Sequence, residues 1–282
     1  MKLKKIQYYL LTKSIGSYLN GLSYIAPNKA TQKAYQLFSQ PRKGRLKHEE
    51  LPEILKDATK ATLEFQHHKI QTYHWKGNEK VILLVHGWES NASRWKKLLE
   101  HLKQTPYTII AVDAPAHGLS SGNEFNAILY SEFINIVAQK YNPNAIIGHS
   151  VGGMASLYYQ SKFQNPNLEK LVLLGAPSDL EVIFNNFINM LSLNSRMQKN
   201  LENHFIQKFN LQLKDFSGIH FGKKINSKGI IAHDKNDKVV LISESEKIAS
   251  SWQQAKFIKT KGYGHSLHKT ALYQEIIAFL GA

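Results

Sequence analysis

The chain has 282 residues, enough for one large domain or two small ones, and its hydrophobic fraction of 43% is ample for a packed core. It contains no cysteine, which excludes disulfides, thiolate metal ligands and a cysteine nucleophile and is compatible with a reducing, cytoplasmic location. The formal net charge is +15, but the lysines are spread along the chain without a recognition-helix or zinc-finger pattern, so we predict no nucleic acid partner.

The first 26 residues predict an amphipathic helix. Lys13 interrupts its apolar run and no small-residue cleavage motif follows, so secretion is not predicted. No apolar stretch approaches the ~18 residues of a membrane span. Two alternatives stay open: the helix packs on the body of the protein, or it rests peripherally on anionic lipid at the inner membrane surface. The apolar positions at helical spacing are Leu11, Ile15, Tyr18, Leu22 and Ile25, and the nearby positive charges are Lys2, Lys4, Lys5 and Lys13.

Residues 27–60 contain three prolines and the basic cluster 42–45, which is typical of a connecting segment lying against the main domain. We therefore expect an N-terminal helical extension over residues 1–60 and a main domain over residues 61–282. The main domain begins with two polar, alternating stretches, 61–66 and 69–76, which predict an antiparallel strand pair at the edge of a sheet.

Short apolar runs then alternate with helical stretches. Such a pattern predicts an α/β fold, with a mostly parallel sheet flanked by helices on both faces. The ligand site of such a sheet lies beyond the carboxyl ends of the strands. The runs are Val81–Val85, Thr108–Val112, Ala145–Ile147, Leu171–Leu174, Gly229–Ala232 and Ala255–Ile258.

The residues that follow these runs are rich in chemistry. Gly148-His149-Ser150-Val151-Gly152-Gly153 follows the third run and precedes a helical stretch, which predicts a serine on a sharp strand-to-helix turn. His86-Gly87-Trp88 follows the first run, Asp113 the second, Asp234 and Asp237 the fifth, and His265 the sixth. Neither a dinucleotide-binding nor a phosphate-binding glycine motif is present, and the histidines lack metal-ligand spacing, so no cofactor and no metal are predicted.

These motifs, in the chain order Ser150, Asp237, His265, resemble the α/β-hydrolase fold family of the serine esterase and lipase type, over residues 81–280. The matching stretches are Val85-His86-Gly87-Trp88, Asp113 to Ser120, Gly148 to Gly153, Asp237 to Val240 and Gly264-His265. One departure is Ala116, where the family usually has glycine. The resemblance implies an α/β-hydrolase domain over residues 61–282, with a helical cap inserted after the sixth strand at about 179–228.

The resemblance also implies roles for individual residues. Ser150 would be the nucleophile and His265 its base, with His268 as the rival base. The orienting carboxylate would be Asp237, with Asp234 and Asp179 as alternatives. Asp113 would be structural, and His149 would shape the turn around the serine.

Backbone N–H groups of Trp88 and Val151 would form the oxyanion hole. The Trp88 side chain would either wall the acyl pocket or serve packing alone. Phe184 and Phe187 of the cap are candidate substrate contacts.

We therefore expect a metal-independent serine hydrolase that acts on a small or medium, partly apolar ester through an acyl-enzyme. Thioesterase, amidase or lysophospholipase-like activity would use the same residues, and a non-catalytic binding protein is the contrasting alternative. The small-molecule ester is the expected partner. The sequence predicts no particular oligomeric state.

Overall fold

The computed structural model describes residues 2–281, with side chains from Ile6 onward. The chain forms two compact units. One, the helical unit, comprises the residues up to Gln40 together with Asp179–Ser217. The other, the sheet unit, comprises Pro41–Ser178 and the residues from Gly218 onward.

The strands of residues 2–281 form one eight-stranded sheet in the order β1-β2-β4-β3-β5-β6-β7-β8. They are β1 Thr59–Phe65, β2 His68–Trp75, β3 Val81–Val85, β4 Thr108–Val112, β5 Ala145–His149, β6 Lys170–Leu174, β7 Lys228–Asp234 and β8 Ala255–Thr260. Strand β2 is antiparallel to both β1 and β4, whereas all pairs from β4 to β8 are parallel. This confirms the predicted α/β fold with a mostly parallel sheet.

The helices of the described residues lie in both units. They are α1 Lys2–Ile25, α2 Pro27–Ser39, α3 Glu53–Lys56, α4 Lys96–Leu102, α5 Ala127–Tyr141, α6 Val151–Phe163, α7 Leu180–Leu191, α8 Ser195–Phe209, α9 Gly218–Gly222, α10 Ile242–Ser251 and α11 Thr270–Leu280. No helix within residues 2–281 is both long and apolar enough to cross a membrane.

The central strands are buried on both sides, as continuous apolar runs predict. Ile82 and Leu84 of β3 belong to a core cluster with Trp95 and Leu99, on the side of α4 and α11. Leu83 alternates to the other side and is also fully buried. The register pairs Val85 with Gly148 and His149 with Leu174. The carboxyl ends of β3, β5 and β6 therefore meet at one edge of the sheet.

The helical unit has its own core, in which α1 and α2 pack with α7 and α8. Helix α1 docks through small residues. A Cβ placed on Gly16 would lie 1.6 Å from the Leu191 carbonyl oxygen, so only glycine permits this approach of the two backbones. Lys13 Nζ donates to the carbonyl oxygens of Asn189 (3.2 Å) and Met190 (3.1 Å), where its charge complements the carboxyl end of the α7 dipole.

This division differs from the expected domain boundaries. Residues 1–40 share a core with residues 179–217, whereas residues 41–60 and 218–228 belong to the sheet unit. The reason is that the buried faces of α1 and α2 lie against α7 and α8, which are more than 100 residues away in sequence. Local periodicity detects an amphipathic helix but does not identify the surface that covers it.

The predicted helix α1 is present, but the predicted apolar face is split. Leu19 is buried, and Ile15 and Leu22 pack against the core as half-buried side chains. Leu11, Tyr18 and Ile25 are 58%, 55% and 86% exposed. Close approach at Gly16 turns the small-residue face inward and three of the five predicted apolar positions outward. The predicted charges of Lys2, Lys4 and Lys5 lie outside the described side chains.

Candidate active site

Ser150 lies on the tight turn between β5 and α6. Its backbone has φ 54° and ψ −130°, a conformation that L residues rarely adopt and that is typical of functional sites. The Ser150 N–H donates to the Leu174 carbonyl at 2.8 Å, which ties the turn to β6. A Cβ on Gly148 would lie 2.7 Å from Gly153 Cα, and one on Gly152 would lie 2.2 Å from the His86 carbonyl oxygen. Only glycines fit at these two positions around the serine.

The structure brings Ser150, His265 and Asp237 together. His265 Nε2 lies 3.1 Å from Ser150 Oγ, and His265 Nδ1 lies 2.7 Å from Asp237 Oδ2. Because a carboxylate only accepts, Nδ1 carries the imidazole proton and Nε2 is free to accept from the serine hydroxyl. The Asp237 side chain is 1% exposed and that of His265 is 20% exposed. The histidine is therefore open to solvent from one side, whereas its carboxylate partner is enclosed.

The other candidate acids and the rival base have different partners. Asp234 Oδ2 accepts from the Tyr263 N–H at 2.7 Å and from Thr260 Oγ1 at 2.9 Å. Asp179 lies in the helical unit, where its Oδ1 accepts from Ser217 Oγ at 2.8 Å. His268 Nδ1 lies 2.5 Å from the Tyr273 hydroxyl. Of the three acids, only Asp237 contacts the His265 imidazole.

Asp237 is oriented by its own turn and by a buried histidine. The N–H groups of Val239 and Val240 donate to its Oδ1 at 2.8 and 3.2 Å, an arrangement that aspartate forms readily with the amides that follow it. His233 Nε2 lies 3.3 Å from Asp237 Oδ2 and 2.9 Å from the Val240 carbonyl oxygen. Its Nδ1 lies 2.7 Å from Ser245 Oγ. Both oxygens of Asp237 are thus held before any substrate binds.

The loop that carries His265 is braced at three points. Asp234 holds the Tyr263 amide; burial acts to raise its pKa, but backbone hydrogen bonds from Tyr263 and Asn236 outweigh this and lower it, so Asp234 stays a carboxylate. His149 Nε2 donates to the His265 carbonyl at 2.8 Å, and Arg94 Nη2 donates to the Ser266 carbonyl at 3.0 Å. His149 thus braces the His265 loop as well as flanking Ser150. The roles of Arg94 and His233 could not be predicted from the sequence, because neither residue belongs to the catalytic motifs themselves.

The turn after β3 lies directly against the serine. A Cβ on Gly87 would lie 2.9 Å from Ser150 Cβ, so the backbone passes at the closest distance that glycine allows. Within the described part of the chain, neither the Trp88 N–H nor the Val151 N–H donates a hydrogen bond. The Trp88 ring is half-buried and packs at 5.7 and 5.3 Å, between centroids, from His117 and Phe125. These ring contacts are sufficient to account for the position of the Trp88 indole, without any contact to a substrate.

Asp113 organises the adjacent loops. It is buried and accepts hydrogen bonds from the Ala92 N–H (2.9 Å), the Leu119 N–H (3.0 Å) and the Tyr73 hydroxyl (2.9 Å). Burial raises the pKa of Asp113 to about 6. These contacts, which join neighbouring loops, agree with the structural role that the sequence suggested for Asp113. Ala116, at the position where glycine is usual, adopts a left-handed φ of 61°.

Phe184 and Phe187 lie in the core of the helical unit. They are 1% and 7% exposed and pack edge-on against Phe38, at centroid distances of 6.4 and 5.2 Å. Both rings serve the packing of this unit, so we do not carry them forward as substrate contacts.

A cavity of about 650 Å³ lies in the sheet unit, at the amino ends of β6 and β7. Its lining includes Gln160, Lys170 and Lys228, and none of Ser150, Asp237 and His265. Because the three motif residues follow the carboxyl ends of their strands, this cavity belongs to the opposite edge of the sheet. Among residues 2–281, no cluster of three histidine, aspartate or glutamate side chains is placed to hold a metal ion.

Three buried histidines lie near the site, and because of them we expect the folded protein to lose stability as the pH falls. Burial lowers the pKa of His86 to about 3, that of His117 to about 4, and that of His149 well below 6.5. Below about pH 6.5 the unfolded chain binds protons on these residues while the folded chain does not. Stability is therefore lost as the pH falls, by on the order of 1–2 kcal/mol per histidine near pH 5. Asp113 acts with the opposite sign between about pH 4 and 6, but it is one group against three.

The measurement is the thermal midpoint between pH 8 and pH 5. We expect it to fall by several degrees in the natural chain and by less in His117→Gln, whose amide oxygen still accepts from the Glu89 N–H that His117 Nε2 binds at 2.9 Å. Equal pH dependence of the two chains would contradict the assignment.

Comparison with known proteins identifies the family of the chain. The model of the alpha/beta hydrolase fold matches residues 80–222. Phospholipase YtpA of Bacillus subtilis is 22% identical over 195 residues, which cover 66% of this chain and 69% of that protein. Pimeloyl-[acyl-carrier protein] methyl ester esterase of Salmonella newport is 36% identical over 109 residues, covering 38% of this chain and 40% of the esterase. The chain thus spans less than half of the esterase.

Solved structures share the fold at low sequence identity. Alpha/beta hydrolase domain-containing protein 10 from mouse has a TM-score of 0.63 at 16% identity, covering 79% of this chain and 97% of that one. A membrane phospholipase A, described as a bacterial virulence factor, has a TM-score of 0.61 at 15% identity, covering 100% of this chain and 98% of that one. Because the family model matches half of the chain, this protein belongs to the α/β-hydrolase fold family.

Proposed function

We propose that this chain is a serine hydrolase that cleaves a carboxylic ester through an acyl-enzyme intermediate. The observation that carries the proposal is the continuous set of hydrogen bonds from Ser150 Oγ through His265 to Asp237, with distances of 3.1 and 2.7 Å. An unassisted hydroxyl is a poor nucleophile near neutral pH, and this arrangement supplies the base that activates it. The family, whose relatives here include an esterase and a phospholipase by name, supports the same chemistry.

In the acylation half, Ser150 Oγ attacks the ester carbonyl carbon while its proton passes to His265 Nε2. The carbonyl oxygen becomes an oxyanion in a tetrahedral intermediate. When the intermediate collapses, the bond to the alcohol oxygen breaks and the imidazolium returns its proton to that oxygen. The products are a free alcohol and an ester between the acyl group and Ser150.

In the deacylation half, water takes the place of the alcohol. His265 Nε2 accepts a proton from the water as its oxygen attacks the acyl carbon, and then returns the proton to Ser150 Oγ. A carboxylic acid leaves and the free serine is restored. Asp237 stays ionised throughout, because its role is to hold the Nδ1–H tautomer and to stabilise the imidazolium.

The oxyanion would be stabilised by the backbone N–H groups of Trp88 and Val151. Val151 is the first residue of α6, so its N–H has no acceptor within the helix and lies at the positive end of the helix dipole. The turn at Gly87 packs against Ser150 and supplies the neighbouring Trp88 N–H. Two preorganised donors of this kind contribute more to the transition state than to the ground state, because the negative charge develops only during attack.

A phospholipase-type activity on long-chain acyl esters is the second candidate. The similarity to YtpA, which covers two thirds of this chain, favours it. Thioesters and amides would use the same residues, so the bond type and the size of the acyl group are decided by experiment.

The test is hydrolysis of p-nitrophenyl esters from acetate to palmitate, with and without prior treatment by a fluorophosphonate. We expect activity with a chain-length optimum, abolished by the fluorophosphonate, which phosphonylates an activated serine. An optimum at short or medium chains supports the small, partly apolar substrate, and one at long chains supports the phospholipase-type candidate. Absence of activity on every ester would overturn ester hydrolysis in favour of thioesters, amides or a binding role.

A further inference from the structure

Helix α1 has two different faces. The inner face docks within the helical unit through Thr12, Gly16, Leu19 and Ser23, which are buried. The residues of the other face, which we call the outward face, are Ile6, Leu10, Leu11, Tyr18 and Ile25, with exposures of 54%, 58%, 58%, 55% and 86%. Leu11, Tyr18 and Ile25 are spaced seven residues apart, which is about two helical turns, so their side chains lie on the same face of the helix.

The outward face concentrates the apolar surface of the protein. Of the eleven large hydrophobic side chains that are exposed among the described residues, eight lie on α1. Scattered exposed leucines need no explanation, but a contiguous apolar strip marks an interaction surface. Between Ile6 and Ile25 the only charged residue is Lys13, which is bonded to the α7 carbonyls.

This face cannot be buried by rotation of α1. Gly16 is pressed against the Leu191 carbonyl, where any side chain would collide. Asn20 Nδ2 donates to the Ser192 carbonyl at 2.9 Å, and Asn20 Oδ1 accepts from the Asn194 N–H at 2.9 Å. These contacts fix one orientation of the helix, and the apolar strip stays outward.

The positive charge near the outward face indicates what kind of surface it binds. Residues 1–48 contain ten lysines and arginines and no aspartate or glutamate, and three of the lysines lie in the first turn of α1. An apolar strip with interfacial tyrosines, flanked by positive charge, matches the boundary of an anionic bilayer, where the strip enters the acyl region and lysines contact the headgroups. A second copy of this chain would bring like charges together, which costs free energy.

We propose that the outward face of α1 binds the protein peripherally to the surface of an anionic phospholipid bilayer. The helix lies in the plane of the interface and does not span the membrane. The proposal is independent of the reaction at Ser150, since it rests on the surface of the helical unit alone.

The test is co-sedimentation of the full chain with phosphatidylcholine–phosphatidylglycerol vesicles and, in parallel, with pure phosphatidylcholine vesicles. We expect binding to the mixed vesicles that weakens with salt. The double variant Leu10→Ser and Leu11→Ser should bind at least about tenfold more weakly, because the two leucines no longer supply apolar surface to the acyl region of the bilayer. Deletion of α1 is unsuitable, because it would remove Leu19 from the core.

The matched control is Ile206→Ser, the same type of change at a 42% exposed position of α8 in the same unit. It should bind as the natural chain does, and far-ultraviolet circular dichroism should show all three proteins equally folded. Equal binding of the double variant, equal binding to neutral vesicles, or no vesicle binding at all would overturn the proposal. So would sedimentation equilibrium showing a dimer that the double variant abolishes without any vesicle binding.

Discussion

Replacement of Ser150 by alanine should lower kcat for ester hydrolysis by about 10⁴-fold or more. The change removes the hydroxyl oxygen, which lies 3.1 Å from His265 Nε2, and leaves the backbone in place, including the two N–H groups proposed as oxyanion donors. The residual rate then comes from positioning and backbone donors alone. The measurement is steady-state hydrolysis of the best p-nitrophenyl ester, together with covalent labelling by a fluorophosphonate, which should disappear in the variant.

Ser156→Ala is the matched control. Ser156 is likewise a buried serine, but it lies within α6 and its Oγ donates to the Gly152 carbonyl at 2.7 Å. Its loss should leave labelling and kcat within a few-fold of the natural chain. His265→Ala combined with Ser150→Ala should cost no more than either change alone, because the two residues act as one unit. Retained labelling in Ser150→Ala would refute the assignment of the nucleophile.

Asp237→Asn should lower kcat by about 10⁴-fold at neutral pH, with little loss of fold. The asparagine keeps an oxygen for the Val239 and Val240 N–H groups, but it presents an N–H₂ donor where Oδ2 accepted from His265 Nδ1. The imidazole then adopts the other tautomer, in which Nδ1 accepts from the asparagine and Nε2 carries the proton. Nε2 therefore faces the Ser150 hydroxyl as a donor and cannot take its proton. The base is lost although its position is kept.

Asp234→Asn separates this effect from loop damage. Asp234 lies three residues away and braces the His265 loop through Tyr263 and Thr260, without contact to the imidazole. We expect a smaller loss of kcat together with a lower thermal midpoint, because a loop support is weakened and no tautomer is changed. A larger kcat loss in Asp234→Asn than in Asp237→Asn would reverse the assignment of the carboxylate.

Much of the sheet was predictable because its signals are local. Strands β3 and β4 coincide with the apolar runs Val81–Val85 and Thr108–Val112. Strand β5 extends two residues past its predicted end, to His149, because its pairing with β6 continues to Leu174. Glycine is required at the positions around Ser150 because other backbone segments pass too close for a Cβ atom. These glycines therefore mark the turn in the sequence itself.

The helical unit shows the limit of such reasoning. The period of α1 was visible, but the face that packs inward is decided by the fit between Gly16 and the Leu191 carbonyl, about 175 positions later in the chain. The same fit exposes Leu11, Tyr18 and Ile25. Phe184 and Phe187 illustrate the converse, since apolar residues expected at a substrate entrance pack in a core that includes Phe38 of α2.

The sequence by itself indicated the fold class and two of the candidate catalytic residues, Ser150 and His265, because strand periodicity and turn chemistry are properties of neighbouring residues. Only the tertiary structure separated Asp237 from Asp234 and Asp179, since all three lie at or beyond the carboxyl end of a strand and Asp237 alone contacts the imidazole. It also revealed the support from Arg94 and His233 and the outward face of α1. These depend on contacts between distant segments, and no local pattern encodes the distance between two side chains.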